Sequence, residues 1–484
     1  MIKRILFISV LAGFQTLQAQ NAEDALRYAQ TSFGGTAMSV GMGGATGAVG
    51  GDLSNITNNP AGIGLYRQSE FSFSPSINYL STSSSYYGSI REDANTRFNF
   101  GNLGFAFHFP SYNRLKTEGW MSSTFAFGYN RINGLNRQAL MQGINTNSSI
   151  IDAFVANANG KAPGFFDGNT QAAYDAFFFD PIAQGSNTYY NARGPQYAGQ
   201  QQIISLESRG AIREYNVSYA GNYSNRLYIG AAFGYRRAVY DETIKITERD
   251  IQDTIPLFQS LEYNTLKDVT GNALNFRLGA IYRVNDWIRL GAAYHFAHAF
   301  RFKETFSADA KSQFSDIGTR EGFSPIGRAE YRLRTPSKIV ASAVFVLGKK
   351  GLISVDYEHI DYTKTRFRVT DDYYDGVNQN MLQLFTSSGN IRVGGEMRFD
   401  DMYARAGFAH LGNPFNSVTQ LNGSLNTITL GGGYRNDEFF LDVALVFANS
   451  TSSYFPYSSN LAPVEPAELK ISRTNFVATL GFRF

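Results

Sequence analysis

The 484-residue chain contains no cysteine, which excludes disulfides, thiol catalysis, thiolate metal sites and a lipid-modified N-terminal cysteine. Charged residues make up only 17%, well below the roughly 25% of ordinary soluble domains. The formal net charge of +3 is too small to point to a nucleic-acid partner. Beyond the N-terminus there is no apolar run of about 18 residues, which excludes membrane-spanning helices; mean hydropathy is −0.24. Tryptophan occurs only twice, yet there are 40 Phe, 29 Tyr and 47 Gly. Many aromatics and glycines with few charges suit strands that meet an apolar medium on one face.

The N-terminus reads as an address. Lys3 and Arg4 precede an apolar stretch from Ile5 to Phe14, and Leu17-Gln18-Ala19 precedes Gln20. A positive start, a short apolar middle and a small residue at the cut predict a cleaved signal peptide over 1–19, so the chain is exported. Losing Lys3 and Arg4 brings the mature chain close to neutrality.

From Phe71 onward one theme repeats: period-2 segments split by polar turns. In Ile471–Phe484 one parity carries Phe476, Ala478, Leu480, Phe482 and Phe484, and the other Arg473, Asn475, Thr479, Gly481 and Arg483. Ala273–Arg283 and Asn390–Phe399 alternate likewise, so each strand presents one apolar and one polar face. Fourteen such strands are predicted, from 70–80 and 97–109 through 120–132 and 206–221 to 471–484. Short connections (Asn285-Asp286, Asp400-Asp401, Asn436-Asp437) alternate with long ones, notably 133–205, 248–271 and 309–326. Tandem secreted sandwiches would share the alternation, but not the mid-strand arginines or the strict short–long order. The pattern predicts an all-β fold: a 14-stranded antiparallel transmembrane β-barrel over 70–484, in the outer membrane of a Gram-negative cell and facing its lipid and lipopolysaccharide. Its lumen would be wider than side chains alone can fill, so something else must occupy it.

Residues 20–69 are the candidate occupant, an N-terminal plug or hatch. Ala22–Gln30 reads as a short helix, whereas Gly34–Gly51 is too rich in glycine for a strand and suits close backbone approach. Pro60 fixes its own φ and pushes Asn59 towards an extended conformation, and the glycines after it permit a reversal. The GMGGATGAVGGD stretch at 41–52, NNPAG at 58–62, RTPSKIV at 334–340 and the terminal Phe484 together resemble FadL-type outer-membrane transporters. That family comprises long-chain fatty acid and toluene/xylene uptake proteins. The resemblance implies a hatch carrying Asn59, Pro60, Ala61 and Gly62. It also implies entry of hydrophobic small molecules from the surface, and their release through a lateral opening made by a kink in the third strand. Gly128 is the only glycine inside 120–132 and is the nominated kink.

The 133–205 loop predicts two helices, one capped by Ser148 or Ser149 and carrying Ile150, Ile151, Phe154 and Val155. The other is capped by Asn169 or Thr170 and carries Ala173, Tyr174, Phe177 and Phe178. With Phe165, Phe166 and Phe179 these form either an external hydrophobic groove (Ile151, Phe154, Phe165, Phe166, Phe177, Phe178) or a loop core folded onto the barrel mouth. Lumen-side charges include Arg277, Arg289, Arg392, Glu396, Arg405 and Asp442, with Arg435, Arg473 and Arg483. One arginine could clasp a carboxylate, though wall-to-wall ion pairs or plug anchors are the commoner use. His295 and His298 are three apart and on a continuous strand would face opposite ways. There is no G-x-S-x-G elbow and no P-loop, so the expected function is non-enzymatic and cofactor-free. It is uptake of a hydrophobic ligand by a monomer, with a surface-binding barrel (adhesin or receptor) using the 133–205 loop or a polar-solute porin as alternatives.

Overall fold

The computed structural model describes residues 22–112, 118–191, 199–368, 374–419 and 421–484; the leader expected at 1–19 lies outside them. From Glu70 onward the chain is one antiparallel sheet closed on itself. Its first strands are β1 (Glu70–Tyr86), β2 (Ser89–Pro110), β3 (Trp120–Gly134, resuming as Arg137–Asn145) and β4 (Gln200–Tyr223). Next come β5 (Leu227–Arg249), β6 (Phe258–Arg283), β7 (Ile288–His295 and Ala299–Phe314) and β8 (Gly327–Arg334 and Lys338–Val346). The rest are β9 (Gly351–Asp361 and Arg366–Arg368), β10 (Ser387–Phe399), β11 (Met402–Leu411), β12 (Leu425–Arg435), β13 (Phe439–Tyr454) and β14 (Ala467–Arg483). Closure runs from Glu70↔Arg483 to Ser85↔Glu468 between β1 and β14. The chain is a fourteen-stranded transmembrane barrel.

The alternation in sequence becomes an alternation of medium. On β6, Leu274, Phe276, Leu278 and Tyr282 point outward and are exposed, while Ala273, Asn275 and Arg277 point inward and are buried. Ile229 and Phe233 on β5, Ile391 and Met397 on β10, and Phe476 and Phe482 on β14 continue the apolar exterior. An apolar belt running round the whole molecule suits lipid and not water.

Turns at one rim are short (224–226, 284–287, 400–401, 436–438), and connections at the other are mostly long. There are two exceptions at the long rim. One is Tyr87-Gly88, where φ of 45° and 77° gives the tight type I′ hairpin. The other is 315–317, where β7 turns straight into a strand at Gly318–Phe323, so the long connection expected at 309–326 is mostly hairpin. Strands overshoot the apolar belt at the long rim. The longest connection is therefore 146–199 rather than 133–205, and the β5–β6 connection shrinks to 250–257.

Residues 22–69 fold inside the cylinder as α1 (Ala22–Ala29), α2 (Ala37–Gly41) and two 3₁₀ turns, Leu53–Ile56 and Pro60–Leu65. The second turn packs on β4, β5 and β6, and α2 on β12 and β13. Glycines meet glycines along this interface. A β-carbon on Gly407 of β11 would lie 2.3 Å from the Gly43 nitrogen, and one on Gly394 of β10 would lie 2.4 Å from the Met42 oxygen. Wall and plug backbones therefore touch with no side chain between them. Replacing Gly407 with valine should unseat the plug by about 2 kcal/mol, the order of an overpacked core position. The expected result is higher conductance in planar bilayers with heat-modifiable barrel migration unchanged; wild-type conductance would refute the contact.

Candidate functional site

The plug is irregular backbone inside a barrel, so its polar groups need partners other than a ladder. Within it, Thr36 Oγ1 donates to both Asp52 carboxylate oxygens (2.8 and 2.7 Å), and the Thr36 amide donates to Ser54 Oγ at 2.9 Å. The wall supplies the rest. Thr479 accepts from the Ala37 amide at 2.7 Å, Thr429 donates to the Gly41 carbonyl at 3.0 Å, and Asp356 accepts from the Gly47 amide at 2.9 Å. Arg289 donates to the Val49 carbonyl (3.0 Å) and Arg277 to the Ile56 carbonyl (3.3 Å).

The Asn59–Gly62 element is buried at the end of this run. Asn59 is extended (φ −135°, ψ 104°), as the following proline requires. Its Oδ1 accepts from the Ala61 amide at 3.1 Å, and its Nδ2 donates to the Gly47 carbonyl at 2.7 Å. Pro60 opens a 3₁₀ turn, whereas the sequence suggested only a reversal. His295 and His298 both reach the lumen, contrary to the expectation of opposite faces, because β7 breaks between them. His295 Nε2 lies 2.7 Å from the Asn58 carbonyl, and His298 Nε2 lies 3.0 Å from an Arg236 nitrogen.

The lumen charges are largely spent on one another. Glu214 on β4 is fully buried and accepts from Arg277 at 2.6 Å, Arg236 at 2.5 Å and Asn275 at 2.8 Å. Arg405 bridges Glu396 and Asp442, both at 2.6 Å, and Arg435 adds a second contact to Asp442. Arg392 pairs with Glu358 at 3.2 Å, and Arg483 with Glu70 at 3.4 Å. Sequence reasoning found most of the basic members and the acids Glu396 and Asp442, but not Arg236 or the buried acids Glu214, Glu358 and Glu70.

The wall is interrupted in one sector. The β2–β3 ladder runs from Pro110↔Ser122 up to Asn102↔Asn130 and stops there. Gly128, the nominated kink, lies below the stop and keeps its pairing to both Gly104 and Asn216. Above it, β3 bulges between Arg131 and Asn133 and turns Ile132 into the lumen. Opposite the bulge, Gly210 holds φ 154° where a β-carbon would strike the Val239 carbonyl. Residues 89–101 of β2 and 131–145 of β3 thus face each other without a backbone ladder.

Side chains take over the seam. Arg91 donates to Gln142 (3.0 Å), Asn95 to Gln138 (2.7 Å), Gln138 to Asp93 (2.9 Å), Arg97 to Asn136 (3.3 Å), and Arg131 to Asn99. Plug residues 30–35 run along the same seam. Ser32 donates to the Ile132 carbonyl at 3.1 Å, Asn133 donates to the Gln30 carbonyl at 3.4 Å, and Gly34 lies against the Arg131 carbonyl. Between plug and seam is a cavity of about 190 Å³. Its back is apolar (Phe33, Val40, Val446, Val477) and its mouth is polar (Arg97, Arg131, Asn136).

Among solved structures, a Pseudomonas aeruginosa FadL homologue matches with a TM-score of 0.58 at 11% identity, over 94% of this chain and 99% of its own. The P. putida toluene transporter TodX matches at 0.52 and 11%, over 93% and 99%. The Ralstonia pickettii toluene transporter TbuX gives 0.52 at 14%, also over 93% and 99%. The fold is theirs. No protein-family model matches the sequence, and no curated protein does.

Towards the long rim, α1 lies in an aromatic cluster, with Tyr28 4.4 Å from the Phe302 ring and edge-on to Tyr240. Lys267 reaches Asp24 at 3.3 Å, and Arg137 reaches Glu23 at 3.0 Å. Beyond the rim, α3 (Ile150–Ala158) is capped by Ser149 in a capping box with Asp152, and Glu248 of β5 accepts from Ser149 Oγ and the Ile150 amide. The second helix, α4 (Gly168–Asp175), is capped by Asp167 rather than Asn169 or Thr170, and Phe177 and Phe178 follow its end. Ile151, Phe154 and Phe178 are buried in a core that closes over the barrel mouth, and Phe166 packs against it. Of the six, only Phe165 and Phe177 are exposed, so the other four belong to a loop core and the six do not line an open groove.

Replacing Arg277 with methionine leaves Glu214 only Arg236 and Asn275 as partners and frees the Ile56 carbonyl, and should destabilise the barrel by about 2 kcal/mol in urea titrations in detergent. Adding Glu214→Gln should deepen the loss, because it leaves the buried Arg236 without its carboxylate. An unchanged unfolding midpoint in the single variant would remove Arg277 from the stabilising network.

Proposed function

We propose that this barrel sits as a monomer in the outer membrane of a Gram-negative cell, its signal peptide cut after Ala19, and passively admits hydrophobic small molecules without a cofactor. The long connections would then face the cell surface. The observation that carries the reading is the cavity bounded by plug residues 33–40 on one side and by the unladdered β2–β3 seam on the other. The solved neighbours include toluene transporters, and the ligand proposed here belongs to the same broad class, fatty acids or aromatic hydrocarbons.

The route follows from what yields most easily. A ligand enters beside the loop core and competes with Tyr28 for the aromatic cluster. At eight residues, α1 is too short to hold itself together once undocked. Undocking it pulls on residues 30–35, which lie along the seam. The seam is held by separate side-chain bonds of about 1 kcal/mol each, so it parts before any laddered strand pair. Lateral release also suits the solute, which dissolves in hydrocarbon but crosses a polar surface layer poorly. A polar-solute porin fits less well, because the lumen charges are paired and the plug occupies the bore. A surface-binding barrel gives no reason for the plug to line the seam.

The chain has no cysteine, so a thiol pair introduced as Asn95→Cys and Gln138→Cys can be bridged by a bismaleimide without side reaction. Bridging should cut uptake of a labelled fatty acid or aromatic hydrocarbon into proteoliposomes by about tenfold or more, the scale expected when a release path is closed. The unbridged pair should transport like wild type. Full transport after complete bridging would refute lateral release, and no uptake of either ligand class by the native protein would refute the transporter.

A further inference from the structure

The outer face of the barrel carries charge where the belt should be ending. On β4 and β5, Tyr215 is paired with Tyr235 and Val217 with Phe233, all facing out. One outward step towards the long rim, Arg213 stands directly opposite Arg237. Like charges in cross-strand register repel, and among the described residues neither guanidinium has a carboxylate within 4.0 Å. Two steps further on is Arg209, which pairs with the exposed Glu207 at 2.6 Å.

Between this pair and the seam the wall is notched. The notch opens outward and is lined by Arg131 from β3, by Arg209, Arg213 and Asp241 from β4 and β5, and by Arg97 and Phe98 from across the seam. Counting Arg237 beside it, five arginines face three acids, Glu207, Asp241 and the Asp268 paired with Asp241 across β5 and β6. Arg97 reaches Glu207 only at 3.6 Å. Lipid-facing surface this close to the belt does not keep such an excess of arginine unless an anion meets it, because a bare guanidinium pair gains nothing there. Guanidinium groups bind phosphate in bidentate fashion, and several converging ones bind it far better than one.

We infer that the notch around Arg213 and Arg237 is a binding site for the phosphate monoester of an outer-leaflet glycolipid. The inference rests on the orientation proposed above, which puts the long rim and this notch at the level of the outer leaflet's head groups. The acyl chains would lie along Tyr215, Val217 and Phe233 below. The site adjoins the cavity, because Arg97, Arg131 and Asn136 line both. A lipid held there would stand in front of the seam.

The test uses the full-length protein in mild detergent and reads binding alone, so its outcome is separate from that of any transport assay. Native mass spectrometry would compare a bisphosphorylated lipid A with its dephosphorylated analogue, on wild type and on the Arg213→Gln/Arg237→Gln variant. Wild type should retain the phosphorylated lipid by about tenfold over the analogue, a ratio the variant should lose. Equal retention of the two lipids by wild type overturns the site, as does an undiminished ratio in a variant whose barrel keeps its heat-modifiable migration. A third arm adds inorganic phosphate at the concentration of the lipid. Failure to displace the lipid supports a lipid-borne phosphate, and complete displacement assigns the notch to free phosphate and overturns the glycolipid.

Discussion

In hydrocarbon no water is available to an unpaired amide, so every backbone group in the belt has to be satisfied by the protein itself. Closure of β14 on β1 meets that demand round almost the whole circumference. Where β2 and β3 part, the demand does not lapse. Asn136 accepts from the Gly210 amide at 3.1 Å, Arg131 and the Leu135 amide both serve the Gly210 carbonyl, and Ser208 donates to the Leu135 carbonyl. The polar residues of the seam are therefore needed whether or not anything passes through it. Their side effect is a seam made of individually weak bonds in a wall otherwise held by a cooperative ladder.

The plug answers to the same constraint from the inside. Its glycines let its backbone lie on the glycines of β10, β11 and β12, which brings amides and carbonyls within reach of Thr429, Thr479 and Asp356. Bulkier plug residues would hold the two backbones apart and leave those groups unpaired. The arginines follow suit. Arg277 serves both the Glu214 carboxylate and the Ile56 carbonyl, so the same guanidinium neutralises the wall and holds the plug.

The barrel was legible because strand parity is an arithmetic property of the sequence, and a strand of ten residues repeats it several times. The plug was legible from its glycines and from the Asn-Pro-Ala element, whose local geometry proline imposes. The seam was not legible by the same logic. Gly128 drew attention as the lone glycine of a well-patterned segment, but a glycine facing Ile56 inside an intact ladder needs no kink. The actual signal was loss of pattern: from 91 to 97 (REDANTR) both parities carry polar residues with only Ala94 between them, and Asn133-Gly134-Leu135-Asn136 reads as a turn. Two-sided polarity in a strand means that neither face meets lipid in the ordinary way. The buried acids and the two lumen histidines were hidden for a different reason. Their roles depend on register between strands distant in sequence, and on the break in β7 that a continuous-strand reading cannot supply.

The plug segment 30–35, the cavity, the seam and the outer notch lie in one line across the wall. Arg97, Arg131 and Asn136 line both the inner cavity and the outer notch, so the barrier between lumen and lipid here is a single layer of side chains. Gln30, Ser32 and Gly34 bear on Arg131 to Asn133 from within. A displacement of the plug therefore needs no relay through the barrel to reach the lipid face, because the residues it touches are the residues that separate the two media. The rest of the cylinder can stay rigid, which is what a fully laddered wall requires. On the lateral route proposed above, the small number of contacts between plug and seam would let a short helix in the lumen control an opening at the membrane.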